Sequence, residues 1–179
     1  MLPNGVAVGA MVTFDGWAVT MRGALPNDRA RDRLTMFVTA ANVTGKPIVN
    51  EVAVDPAAPG GDSVRFVGLD PRPFPEGTND IYPPHAAELD RLAELLNAFP
   101  DVTVVVVGRA DHRGPVERNL GIAEGRAEAL VSYLVGCGVD PNRLSSVAFG
   151  ELDPTNADDN IVALALNRRA EFVLYGLAA

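Results

Sequence analysis

Several features that would assign a chemistry directly are missing from this sequence. Its 179 residues contain one cysteine, Cys137, so no internal disulfide can form, and no CxxC pair or Cys/His cluster indicates a zinc site. Gly136 and Gly138 flank that cysteine, and we expect a partly buried thiol in the turn after a helix rather than a nucleophile. Apolar runs stay well below the roughly 18 residues that a membrane-spanning helix needs, so we expect no membrane span.

Positive charge is also scarce. Lysine and arginine together number 15 against 23 acidic residues, a net charge of −8, which disfavours a general binder of nucleic acids or anionic membranes. Lys46 is the only lysine, so the basic residues are almost all arginine, whose planar side chain binds carboxylates in bidentate fashion. The first residues, MLPNGVAVGAMVTF, lack a basic segment and make a poor signal peptide, so we expect any export signal or anchor to lie outside this chain.

The sequence does contain enough apolar material for a sizeable core, because 47% of its residues are hydrophobic. Its length fits one domain, or one domain with a small companion. The segment DPAAPGGD is rich in proline and glycine, and we predict that residues 56–62 are a linker. This divides the chain into a short unit, residues 1–55, and a longer unit, residues 63–179.

The short N-terminal unit has a strand–strand–helix–strand pattern. WAVTMR alternates as a half-buried strand does, and IVNEVAVD predicts another strand. Between them, Asn27 or Asp28 can cap a helix that Gly45 stops. The apolar face of that helix comprises Leu34, Phe37, Val38 and Ala41. Such a unit is marginal alone and needs a partner that covers its apolar face.

The longer C-terminal unit alternates strands and helices. SVRFVGL, VTVVVVG, LSSVAFG and RRAEFVLYG predict strands, and VTVVVVG is apolar enough to be buried on both faces. PHAAELDRLAELLNAF is an amphipathic helix that Pro100 ends, and a second helix is predicted over residues 116–135. This order of elements implies crossovers over one sheet.

Opposite charges are placed where a ligand crevice would form. Asp111 follows the carboxyl end of the buried strand, where open α/β sheets gather their ligands. Arg126 has Ile122 and Leu130 at i−4 and i+4, so we expect it to be at least partly buried and paired, with Asp111 as the natural partner. Two interpretations remain open. The pair is a structural salt bridge, which the spacing alone favours, or it grips the carboxylate and ammonium of a zwitterion.

A longer motif contains this pair. It consists of a GxxDxxG element, an asparagine, an RA pair, a GE..P turn and an NRR element: Gly108, Asp111, Gly114, Asn119, Arg126, Ala127, Gly150, Glu151, Pro154, Asn167, Arg168 and Arg169. Over residues 64–175 the chain resembles the OmpA-like peptidoglycan-binding domain. In that family the aspartate and the helix arginine hold the free amino acid end of diaminopimelate in the peptidoglycan stem peptide. The resemblance therefore implies these roles for Asp111 and Arg126.

The same resemblance implies a fold and a wider pocket. The fold is α/β (α+β): a two-layer sandwich with helices packed on one face of a mixed β-sheet, plus the small β-β-α-β N-terminal unit. The chain departs from the family at three positions: Ala110 replaces a threonine, Ala123 replaces a serine, and Gly77 stands where a polar pocket residue is expected. Secondary candidates for ligand contact are Ala110, Asn119, Gly77, Thr78 and Arg168. For Asn119 a helix-orienting role, and for Arg168 a salt bridge at the sheet edge, are the favoured alternatives.

The N-terminal unit resembles part of a BON domain. The resemblance rests on FDGWAVTMRGALPNDRARDRL and VNEVAVD, and the usual first helix is missing. It implies an envelope setting and contact with a membrane, a protein partner or a second copy. The alternative is a small scaffold that packs on the second domain or on another protein.

The two resemblances together imply a non-catalytic protein of the cell envelope (periplasm, outer membrane or cell wall) that binds peptidoglycan and needs no cofactor, metal or nucleic acid. An enzyme that uses Asp111 and His112 as an acid/base pair is a weaker alternative, since no nucleophile elbow, phosphate loop or metal cluster accompanies them. Asp153, Asp158 and Asp159 do not match a calcium-binding loop and are expected to form a solvated turn. A third alternative is a structural module in which Asp111 and Arg126 form only a salt bridge.

Overall fold

A computed structural model describes residues 7–14, 17–42, 45–67, 74, 78–81, 83–110, 114–149 and 170–179. Within these ranges the chain forms seven strands and three α-helices. They are β1 (Ala10–Phe14), β2 (Val19–Leu25), α1 (Asp28–Ala41), β3 (Ile48–Val54), β4 (Val64–Val67), α2 (Ala86–Ala98), β5 (Thr103–Gly108), α3 (Val116–Gly136), β6 (Leu144–Ala148) and β7 (Ala170–Tyr175). None of the helices in this part of the chain is long and apolar enough to cross a membrane.

All seven strands belong to one mixed sheet, in the order β3-β2-β1-β4-β7-β5-β6. Parallel pairs join β2 to β3, β1 to β4 and β5 to β6, and antiparallel pairs join β1 to β2 and place β7 between β4 and β5. The β1–β4 pair crosses from the N-terminal unit to the C-terminal unit. Strands on both sides of the predicted linker therefore share one ladder of backbone hydrogen bonds.

The hydrophobic core lies between this sheet and the helices. Alternate strand residues that share one face by register are buried there, including Val12, Met21, Val64, Phe172 and Val106. Along that face α1 packs against α2, and α2 packs against α3. The predicted two-layer fold, with helices on one face and a β-β-α-β unit at the N-terminus, is confirmed.

Local sequence signals explain the helices well. Asn27 caps α1, and its Oδ1 accepts a hydrogen bond of 2.8 Å from the backbone N–H of Ala30. The predicted apolar face is confirmed, since Leu34, Phe37 and Val38 are buried. The predicted amphipathic character of α2 is also confirmed, because one face carries Leu89, Ala93 and Leu96, which are buried, and Leu92 and Phe99, which are half-buried.

The N-terminal unit finds its covering partner in the rest of the chain. Phe37 on α1 packs on Phe99, which follows α2, with ring centroids 4.9 Å apart. Arg33 on α1 donates hydrogen bonds to the backbone oxygens of Gly176, Leu177 and Ala179, which follow β7. Burial of the apolar α1 face is thus shared across the sequence boundary, as the size of the isolated unit leads us to expect.

Candidate ligand-binding site

The site begins where β5 ends beneath α3. A Cβ on Gly108, the last residue of β5, would lie 1.9 Å from the backbone oxygen of Ala123 on α3. Only glycine therefore allows the helix backbone to rest directly on the strand. Arg126 is one helical turn beyond Ala123, so this close contact places its side chain over the end of the strand.

Arg126 is buried, and two backbone carbonyl groups orient it. Its side chain is only 1% exposed. Its Nε donates to the carbonyl oxygen of Thr78 at 3.3 Å, and its Nη1 donates to the carbonyl oxygen of Arg109 at 3.1 Å. The guanidinium carbon lies 5.3 Å from the ring centroid of Phe74, a cation–π contact. The predicted burial of Arg126 is confirmed, and its guanidinium is held in one orientation.

A buried ion triad lies beside the same strand end. Glu171 on β7 is fully buried and accepts two hydrogen bonds from Arg65 on β4, from Nε to Oε2 at 2.8 Å and from Nη2 to Oε1 at 2.9 Å. On its other side, Nη2 of Arg109 donates to Oε2 at 3.3 Å. The side chain of Arg109 also stacks on Phe149, 5.1 Å from the ring centroid. Bidentate pairing and shared hydrogen bonds of this kind offset part of the cost of burying charged side chains.

The secondary candidates lie in different surroundings. Ala110 is buried directly after Arg109, and Asn119 is buried on the first turn of α3, where its backbone N–H donates to Pro115. Thr78 is half-buried, and its enclosed Oγ1 has no hydrogen-bond partner in the described part of the chain. The structure thus brings Thr78 and Ala110 to the surroundings of Arg126.

Several predicted residues lie outside the described residues: Asp111, Gly77, Arg168, Arg169, His112, Asp153, Asp158 and Asp159. The pairing of Asp111 with Arg126 therefore stays a prediction, as do the salt bridge proposed for Arg168 and the solvated acidic turn. Ala110, the residue before Asp111, is placed at the carboxyl end of β5, as the sequence predicted for this segment.

Sequence reasoning missed the ion triad and the aromatic contact of Arg126. A signal for the triad was present, because Arg65 and Glu171 each interrupt an otherwise apolar strand. A charged residue in such a strand is either exposed or paired. No local pattern tells whether such a residue is exposed or paired. None predicts that Phe74 contacts a residue of α3, a helix that begins more than forty residues later.

The lone cysteine is placed as expected, half-buried in the turn after α3. Its Sγ donates to Oδ1 of Asp90 at 3.6 Å, and Tyr133 donates to the same oxygen at 2.7 Å. Burial, followed by the bond to Asp90, raises the pKa of the Cys137 thiol. A raised thiol pKa lowers the thiolate fraction, which agrees with a residue that is not a nucleophile.

The described residues also contain no group of three or more histidine, cysteine, aspartate or glutamate side chains that could hold a metal ion. The histidine that opens α2, His85, is buried, and its Nδ1 lies 3.5 Å from Glu88. Its surroundings are those of a structural side chain at a helix start.

Comparison with known proteins supplies the family. Residues 73–168, more than half of the chain, match the model of the OmpA family. A peptidoglycan-associated lipoprotein of Rhizobium meliloti is 40% identical over 90 residues, which are 50% of this chain and 51% of that protein. A peptidoglycan-binding protein of Mycobacterium tuberculosis, ArfA, is 28% identical over 167 residues, which are 87% of this chain and 51% of that protein.

Solved structures agree with the sequence comparison. The crystal structure of the peptidoglycan-associated lipoprotein from Burkholderia pseudomallei aligns with a TM-score of 0.56 and 28% identity, over 60% of this chain and 98% of that one. The chain spans about half the length of the curated relatives it matches. The BON-like interpretation of the N-terminal unit stays a prediction. The family match, the shared fold and the buried helix arginine at the end of β5 agree, and the chain belongs to the OmpA family.

Proposed function

We propose that this protein binds peptidoglycan without catalysis, in the cell envelope, by holding the diaminopimelate residue of the stem peptide between Asp111 and Arg126. The observation that carries this proposal is the buried, oriented guanidinium of Arg126 at the strand end. An arginine fixed in this way presents a planar fork that suits a carboxylate. Asp111, one residue beyond buried Ala110, would accept the ammonium group of the same ligand.

The names of the relatives support the same class of ligand. The relatives from Rhizobium meliloti and Mycobacterium tuberculosis are called peptidoglycan-associated and peptidoglycan-binding. A free diaminopimelate end carries one carboxylate and one ammonium group on a single carbon, so it matches an arginine and an aspartate side by side. Charge-assisted hydrogen bonds of this kind contribute roughly 1.5–3 kcal/mol each.

The alternative is a structural module of the envelope, in which Asp111 and Arg126 form only a salt bridge. In that case the BON-like N-terminal unit, residues 1–55, would provide the function through contact with lipid or protein. The fixed orientation of Arg126 favours the ligand site, because two carbonyl groups and an aromatic ring already hold the guanidinium in place. Catalysis by Asp111 and His112 has no comparable support.

Co-sedimentation with intact peptidoglycan sacculi tests the proposal. Wild type should pellet with the sacculi, whereas Asp111→Ala and Arg126→Ala should stay in the supernatant. Arg118→Ala is the matched control, because Arg118 lies on the same helix but is exposed. Each variant is first checked by circular dichroism and urea unfolding, since removing Arg126 takes a hydrogen bond from the buried carbonyl group of Arg109 and from the part-buried one of Thr78, at a cost of roughly 1–3 kcal/mol.

Ligand chemistry gives a second test. Isothermal titration with a diaminopimelate-containing stem tripeptide should show binding that weakens as salt is raised, since the attraction is ionic. Binding should disappear when the side-chain carboxylate of diaminopimelate is amidated or when lysine replaces this residue. Equal binding of the lysine peptide would contradict the proposed ligand. If folded wild type does not pellet with the sacculi, the structural module is favoured.

A further inference from the structure

We infer that Arg109 is a positioning residue for this site. Its side chain is anchored by Glu171, and that anchor holds its backbone carbonyl where Arg126 donates a hydrogen bond to it. The inference rests on the proposed function and deepens it, because it names the residues that set the orientation of Arg126.

The sheet brings the three charged residues of the triad together. β7 lies between β4 and β5, and Glu171 is opposite Val67 on one side and Val107 on the other. Arg65 and Arg109 are each two residues from these positions, so all three charged side chains emerge on the same face of the sheet. That face is opposite the helices, so Glu171 anchors residue 109 from the side of the sheet away from α3.

Arg109 is the point where the triad meets the site. Its guanidinium contacts Glu171 and Phe149, while its backbone oxygen accepts from Nη1 of Arg126 at 3.1 Å. Arg109 follows the last residue of β5, where the ladder with β7 ends. Because the side chain of Arg109 is buried and bonded to the neighbouring strand β7, it holds the backbone of residue 109 in place beyond the end of the ladder.

Arg65 provides the matched control. It contacts the same carboxylate and is 6% exposed, but its backbone belongs to β4, which β7 separates from β5. Methionine fills a similar volume without charge. Arg65→Met leaves Arg109 paired with Glu171, and Arg109→Met leaves Arg65 paired with Glu171. Each change removes one cation from the triad and spares one ion pair. Arg65→Met removes the stronger pair, because Arg65 makes two bonds to Glu171 at 2.8 and 2.9 Å and Arg109 makes one at 3.3 Å, so it is a demanding control for the loss of charge pairing.

Two roles predict different outcomes for these variants. If the triad only stabilises the fold, both variants lower stability and neither changes the affinity of the folded protein selectively. If Arg109 positions Arg126, the Arg109 variant alone should lose affinity, by roughly tenfold, in line with the lower end of the range known for groups that orient metal-binding residues. Glu171→Gln is less informative, because it leaves two buried guanidinium groups without their carboxylate.

The test measures the affinity of the full chain for the diaminopimelate-containing stem tripeptide by isothermal titration, at a temperature where urea unfolding shows each variant folded. We expect Arg109→Met to bind roughly tenfold more weakly than wild type and Arg65→Met to stay within about twofold. The Nε–Hε resonance of Arg126 in NMR spectra should shift in Arg109→Met and keep its position in Arg65→Met. Arg109→Lys, which retains a point charge near Glu171, should recover part of the affinity.

The outcomes separate the inference from the proposed function. If wild type binds neither sacculi nor the tripeptide, the proposed function and the positioning role of Arg109 are both overturned. Wild type that binds, with Arg109→Met folded and equally tight, overturns only the positioning role, as does equal weakening by Arg65→Met. If Arg109→Met does not fold, Arg109→Lys decides: weaker binding than Arg65→Lys supports the inference, and equal binding overturns it.

Discussion

Replacing Gly108 with alanine should damage both stability and binding, because α3 rests directly on β5 at this residue. The new Cβ would meet the backbone oxygen of Ala123 at 1.9 Å, about 1.5 Å short of ordinary contact. No side chain can rotate away to relieve this clash, since the obstructing atom belongs to the helix backbone. The helix must therefore move away from the sheet.

The size of that movement sets the expected effect. Ala127, Leu130 and Leu134 on α3 are fully buried, and lifting the helix leaves gaps beneath them. Overpacking of this kind typically costs about 1–3 kcal/mol of unfolding free energy. A shift of about 1 Å would also carry Nη1 of Arg126 from 3.1 Å out of hydrogen-bonding distance of the Arg109 carbonyl.

Urea unfolding measures the loss of stability, and isothermal titration calorimetry with the stem tripeptide measures the loss of affinity. Gly121→Ala is the matched control: the same substitution on α3, at a position where a Cβ would meet nothing within 4 Å. It should leave affinity unchanged and raise stability by up to about 1 kcal/mol, because alanine is the better helix former. If Gly108→Ala proved as stable and as tight as Gly121→Ala, the close strand–helix contact would not be what places Arg126.

Further predictions concern the sequence boundary and pH. Arg33→Ala should lower the unfolding free energy by roughly 1.5–3 kcal/mol, because the charged side chain donates hydrogen bonds to three backbone oxygens after β7. Arg31→Ala, which removes half-exposed ion pairs on the same helix, should change it by less than about 1 kcal/mol. Urea unfolding of both variants measures the difference. The hydrogen bond to Asp90 raises the pKa of Tyr133 from 10.0 to about 12. The neutral phenol is therefore favoured in the folded state, so this stabilisation should be complete below pH 10 and lost as pH rises towards 12. Asp90→Asn should lower the pKa of Tyr133 in an ultraviolet titration, and an unchanged pKa would refute the assignment.

Local patterns predicted the helices and the buried strand correctly. The apolar stripe of α2, the asparagine cap of α1 and the β-branched run of β5 all act between residues close in the chain, so a sequence displays them directly. The alternation in IVNEVAV was a weaker guide. Only Val52 of β3 is buried, because β3 lies at the edge of the sheet, and a sequence pattern does not reveal which strand is outermost.

The candidate site was predictable in part. Apolar neighbours at i−4 and i+4 correctly indicated that Arg126 is buried, since they share its helix face. Its described partners are the backbone oxygens of residues 48 and 17 positions away, and backbone carbonyl groups leave no signature in a sequence. Arg109 looked like one more charge in a polar loop, yet it is as buried as Arg126.

The periodic elements and the place of Arg126 on a buried helix face can be predicted from the amino acids alone, because each depends on residues within a few helical turns of one another. The pairing of β1 with β4, through which both units share one sheet and one core, becomes visible only in the folded chain. The same is true of the position of Glu171 between Arg65 and Arg109. These contacts join residues that are far apart in the chain, and they arise only when strand order and register bring their side chains to the same face.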